Sequence, residues 1–371
     1  MIAKGHHALR LVEEPEFKKL IDDVSHAPGY KLPTRKTLTT SLIPKVRDEL
    51  LGQILDNLRM ATAVCLTTDG WTSLSNESYI AVTVHYINQD KTVLQSHTIA
   101  CEAFEESHTS ENLFGFLKKI VGKWELQNKV MAIASDNAHN IVGAIKLGNW
   151  KQVRCFAHSL NIIVQKALEK ISSVRTKVKA IAEYFNRSSS GLKKLKDMQA
   201  MFNLPQLKLT QDVPTRWNST FKMFQRLSML KEAVVAALST RTDLILSPED
   251  WSLIEGVLPI LQPFYQLTEE ICAEKNVTLS KIIVLVGLLQ KKMVTLNASI
   301  ASHTLQEVVE TLIFEMDGRF REVETNVLYA ESTILDPRFK RRVFKSAEAF
   351  QNVVSDIKKK TDKNAHRCRT E

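Results

Sequence analysis

The sequence predicts an α/β protein in which a mixed β-sheet is combined with a large all-α region. Residues 61–160 contain short runs rich in β-branched residues that are separated by turns. Two of these runs lead into an aspartate, Asp69 or Asp136. Residues 161–330 carry apolar residues at helical spacing, interrupted by Asn, Gly and Pro. These three observations predict a sheet domain joined to a helical domain.

Length and composition restrict the class of protein. The chain has 371 residues, of which 44% are hydrophobic and 25% charged, which is typical of a soluble globular protein with two or three domains. Its net charge of +9 favours an anionic partner such as nucleic acid. The five cysteines form no CxxC pair, which predicts a reducing compartment. The longest apolar run, residues 282–289, is too short to span a bilayer, so no membrane partner is expected.

The first 60 residues are predicted to be a small helical region. Ser41 is placed to cap a helix, and Pro44 suits its first turn. The basic stretch 31–37 is interpreted as a solvated loop, with phosphate contact as the alternative. The apolar residues at helical spacing are Leu42, Val46, Leu50, Leu51, Ile54 and Leu58.

The region 61–160 has a definite order of elements. The run that ends in Asp69 is read as a buried strand, broken at once by Gly70. Residues 79–87 alternate apolar and polar side chains, and residues 88–91 form a predicted hairpin turn into a third strand at 92–101. A helix over 110–124 and a strand before Asp136 follow. Three strands, one helix and a fourth strand are the order of an RNase H-like sheet.

The two aspartates are candidate metal ligands. Carboxylates at strand ends of one sheet could share Mg²⁺ or Mn²⁺, because carboxylate oxygens suit hard cations. The alternative is that Asp69 and Asp136 each cap the turn or helix that follows, since Asp is a favoured cap. The two acids together favour the metal site.

Two further motifs carry candidate functional residues. Cys155 and His158 form a CxxH pair, which is a weak zinc signal without a second pair; a buried Cys and a hydrogen-bonded His at a strand-to-helix junction are favoured. Arg216 and Trp217 are adjacent after a proline, so the guanidinium could hold a phosphate while a base stacks on the indole. The open alternative for Trp217 is a helix start with the ring packed inward.

Five motifs in order give the chain a family resemblance. They read TTDGWTS, SDNAxN, RCxAHxLN, PTRWNST and LDPRFK, and together they resemble the hAT superfamily of DDE transposases, most closely its zinc-finger BED-domain-containing branch in animals. The resemblance implies an RNase H-like core interrupted by a large α-helical insertion. It also implies that Asp69 and Asp136 are the first two metal-binding acids. Cys155 and His158 match the family's CxxH, and Trp217, beside Arg216, matches its base-associated tryptophan.

The sequence departs from that family pattern in two places. It contains no C2H2 set for the BED zinc finger, and the third metal-binding glutamate is expected beyond the LDPRFK motif, after the chain ends. Glu315 and Glu331 precede that position and are interpreted as surface glutamates of helices. Two aspartates alone leave one of two ions short of ligands, which predicts a core without strand-transfer activity.

These inferences define an expected organisation and function. The predicted segments are a helical N-terminal region (1–60), an RNase H-like core (61–160), an α-helical insertion (161–330) and a basic, truncated end (331–371). The expected function is a transposase-derived, DNA-binding protein of the nucleus, with homo-oligomerisation weakened by loss of the dimerisation region. The alternatives are a residual Mg²⁺- or Mn²⁺-dependent DNA nuclease and an interaction module that keeps only the fold.

Overall fold

The chain forms two compact units. The computed structural model describes residues 5, 7–24, 30–88, 92–272 and 277–367, with side chains as far as residue 362. Unit 1 comprises residues 1–133 and 143–152, and unit 2 comprises residues 134–142 and 153–371. The strands are β1 (Val64–Thr72), β2 (Ser78–Asn88), β3 (Val93–Ala103), β4 (Val130–Ser135) and β5 (Gln152–Arg154).

The helices account for most of the remaining described residues. They are α1 (Pro15–Val24), α2 (Arg35–Thr37), α3 (Ile43–Met60), α4 (Ser110–Lys123), α5 (His139–Leu147), α6 (Phe156–Leu168), α7 (Ser172–Arg187), α8 (Ser189–Met201), α9 (Trp217–Met229), α10 (Lys231–Ala237), α11 (Pro248–Ile271), α12 (Ile282–Asn297), α13 (His303–Phe320), α14 (Val327–Leu335) and α15 (Ala347–Arg367). Within the described residues, no helix is both long and apolar enough to cross a membrane.

The strands form one five-stranded mixed sheet in the order β3-β2-β1-β4-β5. β1, β2 and β3 are antiparallel neighbours, and β5 adds a short strand at the far edge. Residues 89–91 of the predicted hairpin turn lie outside the described residues. The three strands, the helix and the fourth strand occur in the predicted order, which confirms the mixed α/β class.

Side-chain alternation and helical spacing explain the core of unit 1. Along β2 the buried residues are Ile80, Val82, Val84 and Tyr86, as a strand with one covered face requires. Thr109 caps α4 by accepting a hydrogen bond from the Asn112 backbone nitrogen at 3.2 Å. The predicted apolar face of α4 is buried at Leu113, Phe116, Leu117, Ile120 and Val121.

The predicted end of β1 at Asp69 is wrong. The strand continues to Thr72, and Gly70 pairs in register with Ile80 instead of breaking the ladder. Trp71 stacks on Tyr79, its partner in the register, with ring centroids 5.8 Å apart. Cross-strand aromatic pairs stabilise antiparallel ladders, which explains why pairing continues past the glycine. Asp69 therefore lies within a strand, not at its exit.

The predicted helix cap at Ser41 is also wrong. Helical structure begins at Arg35, where the Thr34 side chain accepts a hydrogen bond from the Thr37 backbone nitrogen. A π-helical turn over Leu38–Leu42 then leads into α3. Such a turn suits Pro44, because a proline nitrogen donates no hydrogen bond to the preceding turn.

The apolar side of α3 is only partly packed. Leu42, Val46 and Leu50 are exposed, whereas Leu58 is buried. The apolar periodicity thus correctly predicted a helix, but its first half does not face a core within the described residues. The all-apolar run at the start of α12 behaves similarly, because Ile282, Ile283, Val286 and Leu289 are buried while Leu288 is 58% exposed.

A pair of leucine substitutions tests the core of unit 1. Leu117 is 1% exposed on the buried face of α4. Leu117→Ala should lower the free energy of unfolding by about 2–5 kcal/mol, because it removes buried methyl groups and leaves a cavity. Leu74→Ala is the matched control, since Leu74 is fully exposed. Urea unfolding of both variants gives the comparison, and equal losses would contradict this packing.

Candidate functional site

Asp69 lies on an exposed face of the antiparallel ladder in unit 1. Asp69 and Trp71 are two residues apart on β1, so their side chains share one face. Both are exposed, Trp71 to 43%, and they pair in register with Ala81 and Tyr79. The Trp71 and Tyr79 rings are nearly parallel, with an interplanar angle of 15°. This arrangement is called the β1–β2 patch below.

The outer end of the β1–β2 patch is fixed by a hydrogen bond. The Tyr79 hydroxyl donates to Glu77 Oε2 at 3.0 Å, and this bond raises the pKa of the Tyr79 phenol. Trp71 has no predicted role when the strand is expected to end at Asp69. Continuing the period-two alternation from Cys65 through Asp69 to Trp71 was the signal that could have found it.

Asp136 directly follows β4 and lies in unit 2. Its Oδ1 accepts a hydrogen bond from the Ala138 backbone nitrogen at 3.3 Å, in the turn that precedes α5. One of the two carboxylate oxygens of Asp136 therefore makes the turn contact that the capping alternative predicts. Next to it, Asn137 Oδ1 is buried without a hydrogen-bond partner. No comparable turn contact to the Asp69 carboxylate is present among the described residues.

The two aspartates belong to different units. Asp69 is part of unit 1 and Asp136 of unit 2. β1 and β4 are neighbours in the strand order. Among the described residues, no group of three or more His, Cys, Asp or Glu side chains is arranged to hold a metal ion.

Cys155 and His158 lie where β5 meets α6, the predicted location, but Cys155 is half-buried and not buried as expected. Cys155 is the residue before α6, and its backbone nitrogen donates to Ser135 O at 2.8 Å. Its carbonyl accepts from the Ser159 hydroxyl at 3.1 Å. His158 is half-buried in the first turn of the helix. These contacts tie the start of α6 to the end of β4.

Trp217 is packed inward. It is 1% exposed and is the first residue of α9, with Arg216 at the N-cap. The ring lies 6.4 Å from that of Phe221, which in turn stacks on Tyr265. The ring is therefore packed inward, as in the alternative given above. A base cannot stack on a ring that the protein already encloses, so Trp217 is not available for that contact in this conformation.

Side chains of α6 hold the PTRW segment through its backbone. Asn161 Nδ2 donates to Thr215 O at 3.2 Å, while Asn161 Oδ1 accepts from the Trp217 nitrogen at 3.0 Å. One turn later, Gln165 Nε2 donates to Pro214 O at 2.9 Å. Two of the family-like motifs, RCxAHxLN and PTRWNST, are thus joined by hydrogen bonds within unit 2.

A buried carboxylate completes this junction. Asp212 accepts hydrogen bonds from Thr220 at 2.7 Å and Ser219 at 3.0 Å, and its side chain is 2% exposed. Arg175 of α7 pairs with it at 3.1 Å and also donates to Gln165. A buried charge is tolerated only when it is paired and hydrogen-bonded, which this cluster achieves. The Asp212 cluster is the name used below for these five residues.

The two glutamates considered as substitute metal ligands both form ion pairs. Glu315 was predicted to be a surface residue, but it is 9% exposed and pairs with Lys166 at 2.6 Å and Arg319 at 3.3 Å. That expectation is wrong because α13 packs its Glu315 face toward α6. Glu331 is half-buried and pairs with Lys360.

The LDPRFK motif forms a local clamp. Asp336 accepts from the Arg338 guanidinium at 2.6 Å and from the Ser280 hydroxyl at 2.8 Å. The Arg338 guanidinium holds the pKa of the Asp336 carboxyl well below its usual value. The Thr333 hydroxyl donates to Ser280 O at 3.1 Å, so the motif fastens α14 to the segment before α12.

Two family models match consecutive parts of the chain. Residues 67–149 match the model described as ZBED1 RNase-like domain, and residues 153–259 match the model described as ZBED1 RNase-like helical domain. Together they cover just over half of the chain. The chain belongs to the hAT/BED-type, transposase-derived proteins.

Named relatives of this hAT/BED-type chain come from animals, plants and fungi. Zinc finger BED domain-containing protein 4 of Homo sapiens is 25% identical over 95% of the chain and 31% of its own length. A Zea mays protein provisionally named an AC transposase is 26% identical over 92% of the chain and 44% of its own length. A Talaromyces stipitatus protein provisionally named the transcriptional regulator tpeD is 26% identical over 74% and 37%. The chain thus spans less than half the length of these relatives.

The Asp212 cluster gives a stability prediction for this hAT/BED-type chain. Asp212→Ala should lower the free energy of unfolding by about 3–5 kcal/mol, because Arg175 would be left partly buried without its partner. Asp243→Ala is the matched control: Asp243 pairs with Arg241 on the surface, so little change is expected. Urea unfolding measures both variants. A loss for Asp212→Ala no larger than for the control would show that the cluster does not hold unit 2 together.

Proposed function

We propose that this chain is a transposase-derived regulatory protein that binds DNA in the nucleus. The observation that carries the proposal is the β1–β2 patch, in which an exposed carboxylate, Asp69, lies beside the exposed Trp71 ring on one sheet face. Aromatic rings offer a surface on which unpaired bases stack, and the net charge of +9 favours a polyanion. The names of the relatives, which include a transposase and a transcriptional regulator, agree with this function.

The same proposal includes the architecture of the family. We take the sheet to be an RNase H-like core and the helices of unit 2 to be an insertion within it. The separate RNase-like and RNase-like helical models support this division. We also propose that homo-oligomerisation in this family uses segments of its longer chains.

Asp69 and Asp136 are the proposed metal-binding acids, with Mg²⁺ or Mn²⁺ as the ion. The Asp69 carboxylate is exposed and has no ion pair within the described residues, and Asn137 Oδ1 next to Asp136 is a buried acceptor without a partner. These oxygen donors fit a hard cation. A bound ion would polarise a phosphodiester oxygen. Two carboxylates leave a two-ion site incomplete, so we propose DNA binding without strand transfer.

Arg216, not Trp217, is the proposed DNA contact of the PTRW segment. Its backbone is held on both sides, because its nitrogen donates to Val213 O at 2.9 Å and its carbonyl oxygen lies 2.7 Å from Ser219 Oγ. The guanidinium is exposed and has no ion pair among the described residues. We propose that the buried Trp217 ring positions Arg216, and that Cys155 and His158 position the start of α6 at the same DNA-facing surface.

Binding to a single-stranded oligonucleotide tests the β1–β2 patch. Trp71→Ala should weaken binding by roughly five- to a hundredfold, because stacking of one base contributes about 1–3 kcal/mol. Phe314→Ala is the matched control, since Phe314 is an exposed aromatic residue of α13. Fluorescence anisotropy at fixed salt gives both affinities. Unchanged binding by Trp71→Ala would remove the base-stacking role.

A second measurement separates binding from residual catalysis. The unchanged chain should bind supercoiled DNA without nicking it in Mn²⁺. Nicking that requires Mn²⁺ and disappears in Asp69→Asn would instead support the nuclease alternative. An affinity for DNA that does not fall as salt rises would favour the interaction module, because phosphate contacts release counterions.

A further inference from the structure

Unit 2 contains a small cavity whose lining includes the arginine of the RCxAHxLN motif, Arg154. Its volume is about 100 Å³, and it lies between the start of α6, the end of α13 and the start of α14. Phe156 and Phe320 form one wall, with ring centroids 5.0 Å apart. The polar groups that line it include Arg154, Arg319 and Glu322. It is therefore a partly apolar cavity with two guanidinium groups.

The neutral hydroxyl groups of the cavity are already engaged. The Tyr329 hydroxyl donates to Arg154 O at 3.2 Å, and the Ser159 hydroxyl donates to Cys155 O at 3.1 Å. These two bonds hold the backbone on either side of the Arg154 peptide. They leave the two guanidinium groups and the Asn326 amide as the donors that can meet a ligand.

The two guanidinium groups retain free donors. Arg319 uses its Nε to reach Glu315 Oε2 at 3.3 Å, which leaves its two terminal nitrogens available. The Arg154 guanidinium makes no hydrogen bond or ion pair to any residue in the part of the chain that the structure describes. Glu322 is the single acid of the lining, and Glu315 behind it pairs with both Arg319 and Lys166, so these three basic and two acidic groups carry a net charge of +1.

Charge, donors and size together select the ligand. A cavity of about 100 Å³ has room for roughly three water molecules, which is the scale of one phosphate group and much less than a nucleobase with its sugar. Arginine presents a planar fork of N–H donors that matches phosphate oxygens.

The position of the cavity identifies the source of the phosphate. Arg154 ends β5, and the next residue, Cys155, is hydrogen-bonded to Ser135 at the end of β4. Asp136, a proposed metal-binding acid in the same unit, follows Ser135 directly. A DNA strand that reaches Asp136 would thus pass close to Arg154.

We propose that the Arg154–Arg319 cavity binds one phosphate group of a DNA backbone. The inference that the cavity binds phosphate is independent of the proposed function, whereas the inference that this phosphate belongs to DNA rests on it. The negative charge of Glu322 repels the anion and therefore lowers the affinity of the site. The site thus predicts opposite effects for two substitutions at one cavity.

Binding of a single-stranded oligonucleotide to the full chain, titrated with salt, tests the site. Arg154→Ala should weaken binding about tenfold, as expected for loss of one charge-assisted contact, and should reduce the slope of log K against log salt by about 0.7. Glu322→Gln should strengthen binding, a gain that misfolding cannot produce. Arg187→Ala is the matched control, because Arg187 is an exposed arginine of the same unit whose ion pair within the described residues is with Glu183 of its own helix.

A second arm uses inorganic phosphate as the probe in a thermal shift assay and distinguishes the two proposals. Stabilisation by phosphate that is lost in Arg154→Ala, together with no binding to DNA, would support the cavity and overturn the proposed function. Binding to DNA that neither Arg154→Ala nor Glu322→Gln alters, together with no phosphate-dependent stabilisation, would overturn the cavity site and leave the proposed function in place.

Discussion

The buried carboxylate of Asp212 is the interaction on which the order of unit 2 depends. Removing a charge from water is costly, so every lone pair of this group must be satisfied for the fold to form. Arg175, Ser219 and Thr220 supply the donors, and they come from two helices that are distant in sequence. The need to satisfy one acid therefore fixes α7, α9 and the segment between them. The exposed position of Arg216 is a result of this arrangement.

The motifs that identify the family divide into two physical groups. RCxAHxLN, PTRWNST and LDPRFK mainly join elements of unit 2, since Asn161, Thr220 and Asp336 each hydrogen-bond a residue outside their own motif. TTDGWTS and SDNAxN leave oxygen atoms without such contacts among the described residues, at Asp69 and Asn137.

Periodicity predicted the elements well where one face of the element is buried. β2 and α4 follow their predicted patterns because alternation and helical spacing directly report a covered face. The pattern failed at Gly70, where a cross-strand pair between Trp71 and Tyr79 continues a strand that local propensity would end. It failed at Ser41, because the cap was supplied by Thr34 ahead of a π-helical turn that has no simple sequence signature.

The candidate site was predictable only in part. The acids Asp69 and Asp136 stand out because each follows an apolar run, but the burial of Trp217 depends on α6 and α9 meeting through Asn161, and no local pattern encodes that contact. Glu315 was misjudged for the same reason, since its burial requires Lys166 from a helix far away in sequence. Long-range pairing of polar groups is the part that a single sequence does not reveal.

The extension of β1 to Thr72 changes how the first acid can move. The main chain of Asp69 is paired on the antiparallel ladder opposite Ala81, so the freedom of its carboxylate reduces to two side-chain torsions. Asp136 instead lies in the segment between β4 and α5, outside the strand pairing. The two acids therefore differ in restraint, because the ladder holds the main chain of Asp69 whereas Asp136 follows the end of its strand.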